Sequence, residues 1–166
     1  MKYDAEVSSA IAHWGPVYGV TIPPALVHAI IEQESTHGLH LETVEPGGHM
    51  SYGPMMVLDT TATSVFHVAN PSTLKDPRLG IWYGVAYFAS LLKKFPGHPT
   101  QAISAYNTGA GRAKLTASGT FPNQDYVTKV LGFLKRYQGA AVSAAPVVAL
   151  LVVGGLLLLS ARRRAA

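Results

Sequence analysis

Among the carboxylates of this chain, Glu34 is the one whose neighbours could turn it into an acid. It follows Val27, Ile30 and Ile31 at spacings of three and four, so on a helix it shares their apolar face. A carboxyl group on such a face is desolvated. Desolvation disfavours the charged form and lifts the pKa towards about 6, the state required to protonate a glycosidic oxygen. Glu32 lies two positions back, on roughly the opposite face, and reads as a solvated carboxylate. The spacing alone allows a second reading of Glu34, as a carboxylate at a helix end that curls back to water.

Other residue types offer less. Seven histidines invite a metal reading, above all His37, His40 and His49 near Glu42 and Glu45. No His-Glu-x-x-His stands on a helix and the spacing fits no compact zinc site, so no metal and no cofactor are expected. The glycines between Asn107 and Gly111 lack the Gly-Lys-Ser/Thr of a phosphate loop, and are read as ending a helix beside a cleft. Trp14, Trp82 and most tyrosines stand at helical spacing and are read as core. There is no cysteine, which excludes disulfides and thiolate sites.

The elements that must position Glu34 are helices. Asp4 is placed to cap a first helix with Val7, Ala10, Ile11 and Trp14 on one face, interrupted by Gly15-Pro16. Pro23-Pro24 opens a second over residues 25–35. Residues 36–53 carry no periodicity and read as a long loop or small irregular lobe. A short helix follows the cap residue Asp59 to about Val68. A stronger one covers 79–95, with Tyr83, Ala86, Tyr87, Leu91 and Phe95 towards the core. Further helices are expected over 100–106 and 124–138, and no strand pattern of comparable strength appears. The fold class is therefore mainly α.

Composition divides the chain near Gly139. Residues 1–138 carry ten Lys and Arg against nine Asp and Glu, so this part is near neutral and a nucleic-acid surface is not implied. It is long enough to fold as one domain. Residues 139–145 read as a short flexible link, 146–161 as the core of a transmembrane helix, and 162–166 as a basic tail containing Arg162, Arg163 and Arg164. A lipid membrane is thus an expected partner, and a single-pass membrane location follows. The N-terminus has acidic residues and no long apolar run, so a secretory signal is not read there.

Four segments resemble, in order, the motifs of the soluble lytic transglycosylase family. They are Tyr18 to Ser35 with its Glu34-Ser35 pair, Ser51-Tyr52-Gly53-Pro54-Met55-Met56-Val57, Ala105-Tyr106-Asn107-Thr108-Gly109, and Asp125-Tyr126-Val127-Thr128-Lys129-Val130. The resemblance covers about residues 4–138. It implies a lysozyme-like domain, ahead of the transmembrane helix read from composition, with Glu34 as sole acid and base on the glycan strands of peptidoglycan. It further implies that Tyr126 hydrogen-bonds near Glu34, that Ser35, Met55, Met56, Tyr106 and Asn107 belong to the substrate site, and that Gly53 lets the backbone approach the glycan. Three positions depart from the family pattern: Met56 stands for Gln, Pro54 for Leu, and Gly80 for Asn. Met56 cannot hydrogen-bond as an amide does.

The mechanism so implied needs one carboxylate, because the sugar's own 6-hydroxyl attacks in place of water and leaves a 1,6-anhydro-muramic end. Glu42 and Glu45, in the irregular loop, and the cap Asp59 are not marked as partners. Two other readings stand beside it: a goose-type-like muramidase on the same fold, and a catalytically weak peptidoglycan-binding membrane protein. Topology is internally conflicted. The Arg tail favours a cytoplasmic C-terminus, while Lys129, Lys135 and Arg136 lie on the other flank. A phage enzyme carried in a virion membrane, with virion proteins as partners, resolves the conflict; so does a bacterial envelope enzyme exported by a reverse-anchor route.

Overall fold

The computed structural model describes residues 1–144, and its organising element is the helix α2 (Pro24–Ser35). Pro24 occupies its first turn, where a missing N–H costs nothing. Every residue from 26 to 31 is buried, so α2 is enclosed on most sides and its apolar surface is wider than a single stripe. Around it lie α1 (Asp4–Tyr18) and α6 (Gln124–Ala144), and α4 (Pro77–Lys94) and α5 (Pro99–Thr108) complete the helical body. One apolar core joins them, from Val7 through Ile30, Ile31, Met55, Val85 and Phe88 to Ile103 and Val127.

The helix boundaries differ from the expected ones for local reasons. α1 continues through Gly15-Pro16, because a proline in the last turn removes only one hydrogen bond. It ends instead at Gly19, which is left-handed at φ 67°. There Gly19 N–H donates to the Pro16 carbonyl at 3.2 Å and Val20 N–H to the Gly15 carbonyl at 2.9 Å, a Schellman closure. Asp4 is not a cap; its carboxylate takes the N-terminal ammonium and His28 Nε2, the latter at 2.9 Å. Asp59 likewise lies inside α3 (Asp59–Phe66), where it accepts from Met50 N–H at 3.1 Å. Asp76 is a true cap, accepting from Arg78 and Leu79 N–H at 2.8 and 3.3 Å at the start of α4.

Residues 36–53 are more regular than expected. They hold β1 (Glu42–Val44) and β2 (Met50–Tyr52), joined by a 3-10 turn Pro46–Gly48, and β2 also pairs with β3 (Val57–Leu58). The small antiparallel sheet runs β1-β2-β3, with Val44 opposite Met50 and Ser51 opposite Leu58. The lobe has its own core of Val57, Ala62 and Leu74, against which Tyr83 packs. This second core takes only Tyr83 from the face that the spacing of α4 suggests; Ala86 and Leu91 are buried as expected, and Tyr87 and Phe95 pack against the main core. Ile81, Val85, Phe88 and Ala89 face the main core, while Tyr83 turns to the lobe.

α6 continues past Gln138 to Ala144, so most of the stretch expected as a flexible link is helical; one glycine does not stop a run rich in alanine. Residues 146–161, expected to form the transmembrane helix, lie outside the described residues. Among the described residues no helix is long and apolar enough to cross a membrane.

The seam between lobe and helices is closed by the absence of side chains. A Cβ at Gly84 would stand 2.5 Å from Met55 Cβ and 2.6 Å from its sulfur, and Met55 is fully buried with little room to yield. Gly84→Ala should therefore lower stability by about 1–3 kcal/mol through overpacking, although alanine is the better helix former. A urea titration checks this. A lower midpoint at unchanged slope is expected, and an unchanged or higher midpoint would show that Met55 can give way.

Candidate active site

Glu34 stands in the last turn of α2, beside a cleft of about 270 Å³ that separates the helical body from the small lobe. The helical wall supplies Glu34, Tyr87, Tyr106, Asn107, Thr108 and Gly109. The lobe supplies Glu45, Ser51, Met56, Val57 and Leu58, with Thr61 from α3. Glu34 is reached from the cleft and walled by protein on its other sides. Burial is the largest influence on it and raises its pKa from 4.5 to about 7. The hydroxyl of Tyr126 donates to Oε1 at 2.5 Å and works in the opposite direction, while the charge of Glu45 adds a smaller upward push.

Tyr126 is in the first turn of α6, and its own ionisation is pushed well above the usual phenol range by burial and then by Glu34. It therefore stays a donor. With Oε1 occupied by Tyr126, Oε2 has no hydrogen-bond partner among the described residues and is the oxygen that can hold a transferable proton. Tyr106 is held in the same way: its hydroxyl donates to the Met55 carbonyl at 2.8 Å, and its ring lies 5.3 Å from that of Tyr87.

Of the residues expected at the site, Glu34, Met56, Tyr106 and Asn107 line the cleft and Tyr126 touches Glu34. Three do not reach it. Ser35 is 1% exposed; its hydroxyl donates to the carbonyls of Pro54 at 2.7 Å and Ile31 at 3.0 Å and accepts from Gly38 N–H at 2.8 Å. It fastens the Pro54 turn to the end of α2 and has no surface for a sugar. Met55 is fully buried in the main core. Gly53 is also buried, at φ 83°, and a Cβ there would collide with the Leu74 carbonyl and lie 3.1 Å from Gly80 Cα. The close approach seen at Gly53 is thus to the protein's own backbone.

Glu32 is not simply solvated either. Its Oε2 meets His37 Nδ1 at 3.0 Å and accepts from the Tyr137 hydroxyl at 3.2 Å, tying α2 to α6 on the side away from the cleft. His37 is spent in that contact and His49 on Asp59 at 3.2 Å. Among the described residues no group of three or more His, Cys, Asp or Glu side chains is placed to hold a metal ion.

Sequence reasoning does not reach Glu45, Tyr87 and Asn123. Glu45 immediately precedes Pro46-Gly47-Gly48, a turn cluster that marks a hairpin and could have placed it at the turn between two strands. Tyr87 stands on a helix face read as core, and Asn123 precedes α6 without a motif of its own. Asn123 Nδ2 donates to Asn107 Oδ1 at 2.9 Å.

Two solved structures share this arrangement of helices. The lytic transglycosylase Slt of Pseudomonas aeruginosa, solved as an inactive mutant, is 22% identical at a TM-score of 0.65, over 88% of this chain and 25% of that one. The 70 kDa soluble lytic transglycosylase of Escherichia coli is 22% identical at 0.63, over 81% of this chain and 24% of its own. The chain thus spans about a quarter of the length of each, and at that identity the likeness establishes the fold as lysozyme-like. Residues 17–126, from the approach to α2 to the tyrosine on Glu34, match the family model of the transglycosylase SLT domain, and the chain belongs to that family.

Proposed function

We propose that this protein is a peptidoglycan lytic transglycosylase that cleaves the β-1,4 bond from MurNAc to GlcNAc, with Glu34 as its single acid and base. The observation that carries this reading is a carboxyl group held near neutrality by burial, at a cleft, with one oxygen fixed by Tyr126 and the other free. In the proposed reaction protonated Oε2 gives its proton to the glycosidic oxygen as the bond to muramic C1 breaks. The resulting carboxylate takes the proton of the C6 hydroxyl while that oxygen bonds to C1. The products are a free GlcNAc 4-hydroxyl and a 1,6-anhydro-MurNAc end; no water is consumed and Glu34 is again protonated. A pKa close to the working pH suits a group that must serve in both states.

One observation favours a hydrolase instead. Glu45 lines the same cleft, and a second carboxylate can activate water. The products separate the two. Digestion of purified peptidoglycan by the full chain should release anhydro-muropeptides, read by mass spectrometry. Reducing muramic ends throughout would assign the muramidase reaction, and no release would leave a binding module.

Glu34→Gln should abolish turnover, whereas Glu32→Gln, on the other side of α2, should keep it within a few-fold. The stability effect has a definite sign. Glu34 binds its proton more tightly folded than unfolded, so its contribution is greatest below pH 4.5 and is lost as pH rises through about 7. The interval is worth at most about 3 kcal/mol. At pH 8 the Glu34→Gln protein should melt higher than wild type, and near pH 4 the two should converge. A variant less stable at both pH values would contradict the burial argument, and kcat/KM of the wild type should fall on a limb near pH 7.

We further propose that residues 146–161 anchor the domain to a membrane, with Arg162 to Arg164 as the stop, in a bacterial envelope or a phage virion. The full chain should stay with membranes through an alkaline carbonate wash, and a chain ending at residue 144 should not. Release of both would remove the anchor. Digestion of the domain by protease added outside spheroplasts of uninfected cells would remove the phage-delivery reading.

A further inference from the structure

Asn107 is exposed at the cleft, but its amide is not free to turn. Asn123, half-buried before α6, is clamped to Ser104, which is fully buried in α5. The Ser104 hydroxyl donates to Asn123 Oδ1 at 2.7 Å, and Asn123 Nδ2 donates to the Ser104 carbonyl at 3.2 Å. A backbone carbonyl can only accept, so the Asn123 atom facing it must be the nitrogen. That same nitrogen is 2.9 Å from the Asn107 amide, and the atom it meets there must in turn be an acceptor, Oδ1. A chain of forced choices therefore runs from the backbone of α5 to the cleft. It leaves Asn107 Nδ2 as the group with no partner among the described residues.

We propose that Asn123 is a positioning residue that locks the Asn107 amide with its NH2 group towards the cleft, so that this point of the site accepts a hydrogen-bond acceptor and rejects a donor. The inference rests on the glycan reading above, and the acceptor it fits is an acetamido carbonyl of the strand, the best neutral acceptor such a polymer carries. A freely turning asparagine would offer its carbonyl as readily as its nitrogen, and would first have to give up that choice on binding. Fixing the amide beforehand converts an indifferent side chain into a polar filter. Nothing in the local sequence marks this. Ser104 and Asn123 are nineteen residues apart, and Asn107 and Asn123 sixteen.

The test uses the full chain in detergent, with tri-N-acetylchitotriose and its N-thioacetyl analogue as probes. The two sugars are alike in charge and nearly alike in shape, but sulfur is the poorer acceptor. The wild type should prefer the acetyl sugar by about five- to ten-fold, the worth of one hydrogen bond. Asn123→Ala should weaken binding of the acetyl sugar by about that factor and bring the preference close to one. Asn107→Ala, at an exposed position that the fold does not need, should lose the preference equally, and the double variant should lose no more. This second route holds even where Asn123→Ala fails to fold. Equal loss of affinity for both sugars in Asn123→Ala, or a preference that survives Asn107→Ala, would overturn the inference. Digestion of peptidoglycan that still depends on Glu34 would then leave the glycan reading standing. Wild-type protein that binds neither sugar and digests nothing would defeat both.

Discussion

The hydrogen bond from Tyr126 to Glu34 joins residues ninety-two positions apart, and the architecture of the domain can be understood as what is needed to make it. Glu34 ends α2 and Tyr126 begins α6, so the two helices must pack closely for the hydroxyl to reach Oε1. Val127 and Val130 of α6 are fully buried in the same core as Ile30 and Ile31 of α2. Apolar burial of this kind is worth roughly 25 cal/mol per Å² and is indifferent to direction. The hydrogen bond gives the packing a register. At the far end, the Glu32, His37 and Tyr137 contacts hold the same helix pair together, and His28 with Asp4 ties α1 into the arrangement. The helix that carries the acid is thus braced on both sides, which suits a carboxyl group that must stay desolvated while remaining open to a ligand.

The second constraint is the seam with the small lobe. Ser35, the residue after the acid, holds the Pro54 carbonyl; Gly53, next along the turn, lies against the Leu74 carbonyl and Gly80. A Cβ at Gly80 would come within 2.9 Å of Pro54 Cδ and would strike the Leu74 carbonyl. Pro54 and Gly80, two of the departures from the family pattern, therefore meet in space. The Pro54 ring on one side lies where a side chain at position 80 would have to stand, and the seam stays closed without polar atoms at that position. Met56 is a different case. It lines the cleft at φ 44°, an uncommon conformation for a side chain of its size, and offers a flexible thioether where the family has an amide. The polar side chains that line that side of the cleft together with Met56 are Glu45, Ser51 and Thr61.

The sequence is legible where periodicity and motif coincide. The helices around Glu34, its burial and the Tyr126 contact all follow from it, because long apolar spacings and four ordered motifs constrain one another. It is less legible in three places. Strands of two or three residues, with β1 exposed throughout, show no alternation from which to read them. The motif neighbours Ser35, Gly53 and Met55 read as substrate contacts because a motif marks a place and not a role, and in this fold the places serve the seam. Glu45, Tyr87 and Asn123 belong to the cleft or its support through contacts made across the chain, which no local pattern records. The end of α1 misleads for the converse reason: Gly15-Pro16 is a strong local breaker, but near a helix end it has little left to break.

The arrangement also bears on how one carboxyl group could carry the proposed reaction. A single residue acting alternately as acid and base must be easily protonated and easily deprotonated, so its pKa has to lie near the pH of its surroundings. Burial alone would carry Glu34 upward without limit of its own, while a strong set of donors would pull it back to an ordinary carboxylate. The domain provides one donor, Tyr126, against burial and the like charge of Glu45 across the cleft, and the balance falls at about 7. A second donor on Oε2 would stabilise the carboxylate further and would also block the oxygen that gives its proton in the proposed reaction. The single hydrogen bond is therefore a compromise between holding the group still and leaving it reactive. Tyr126 can fill that role because burial, and then Glu34, push its own ionisation well above the usual phenol range.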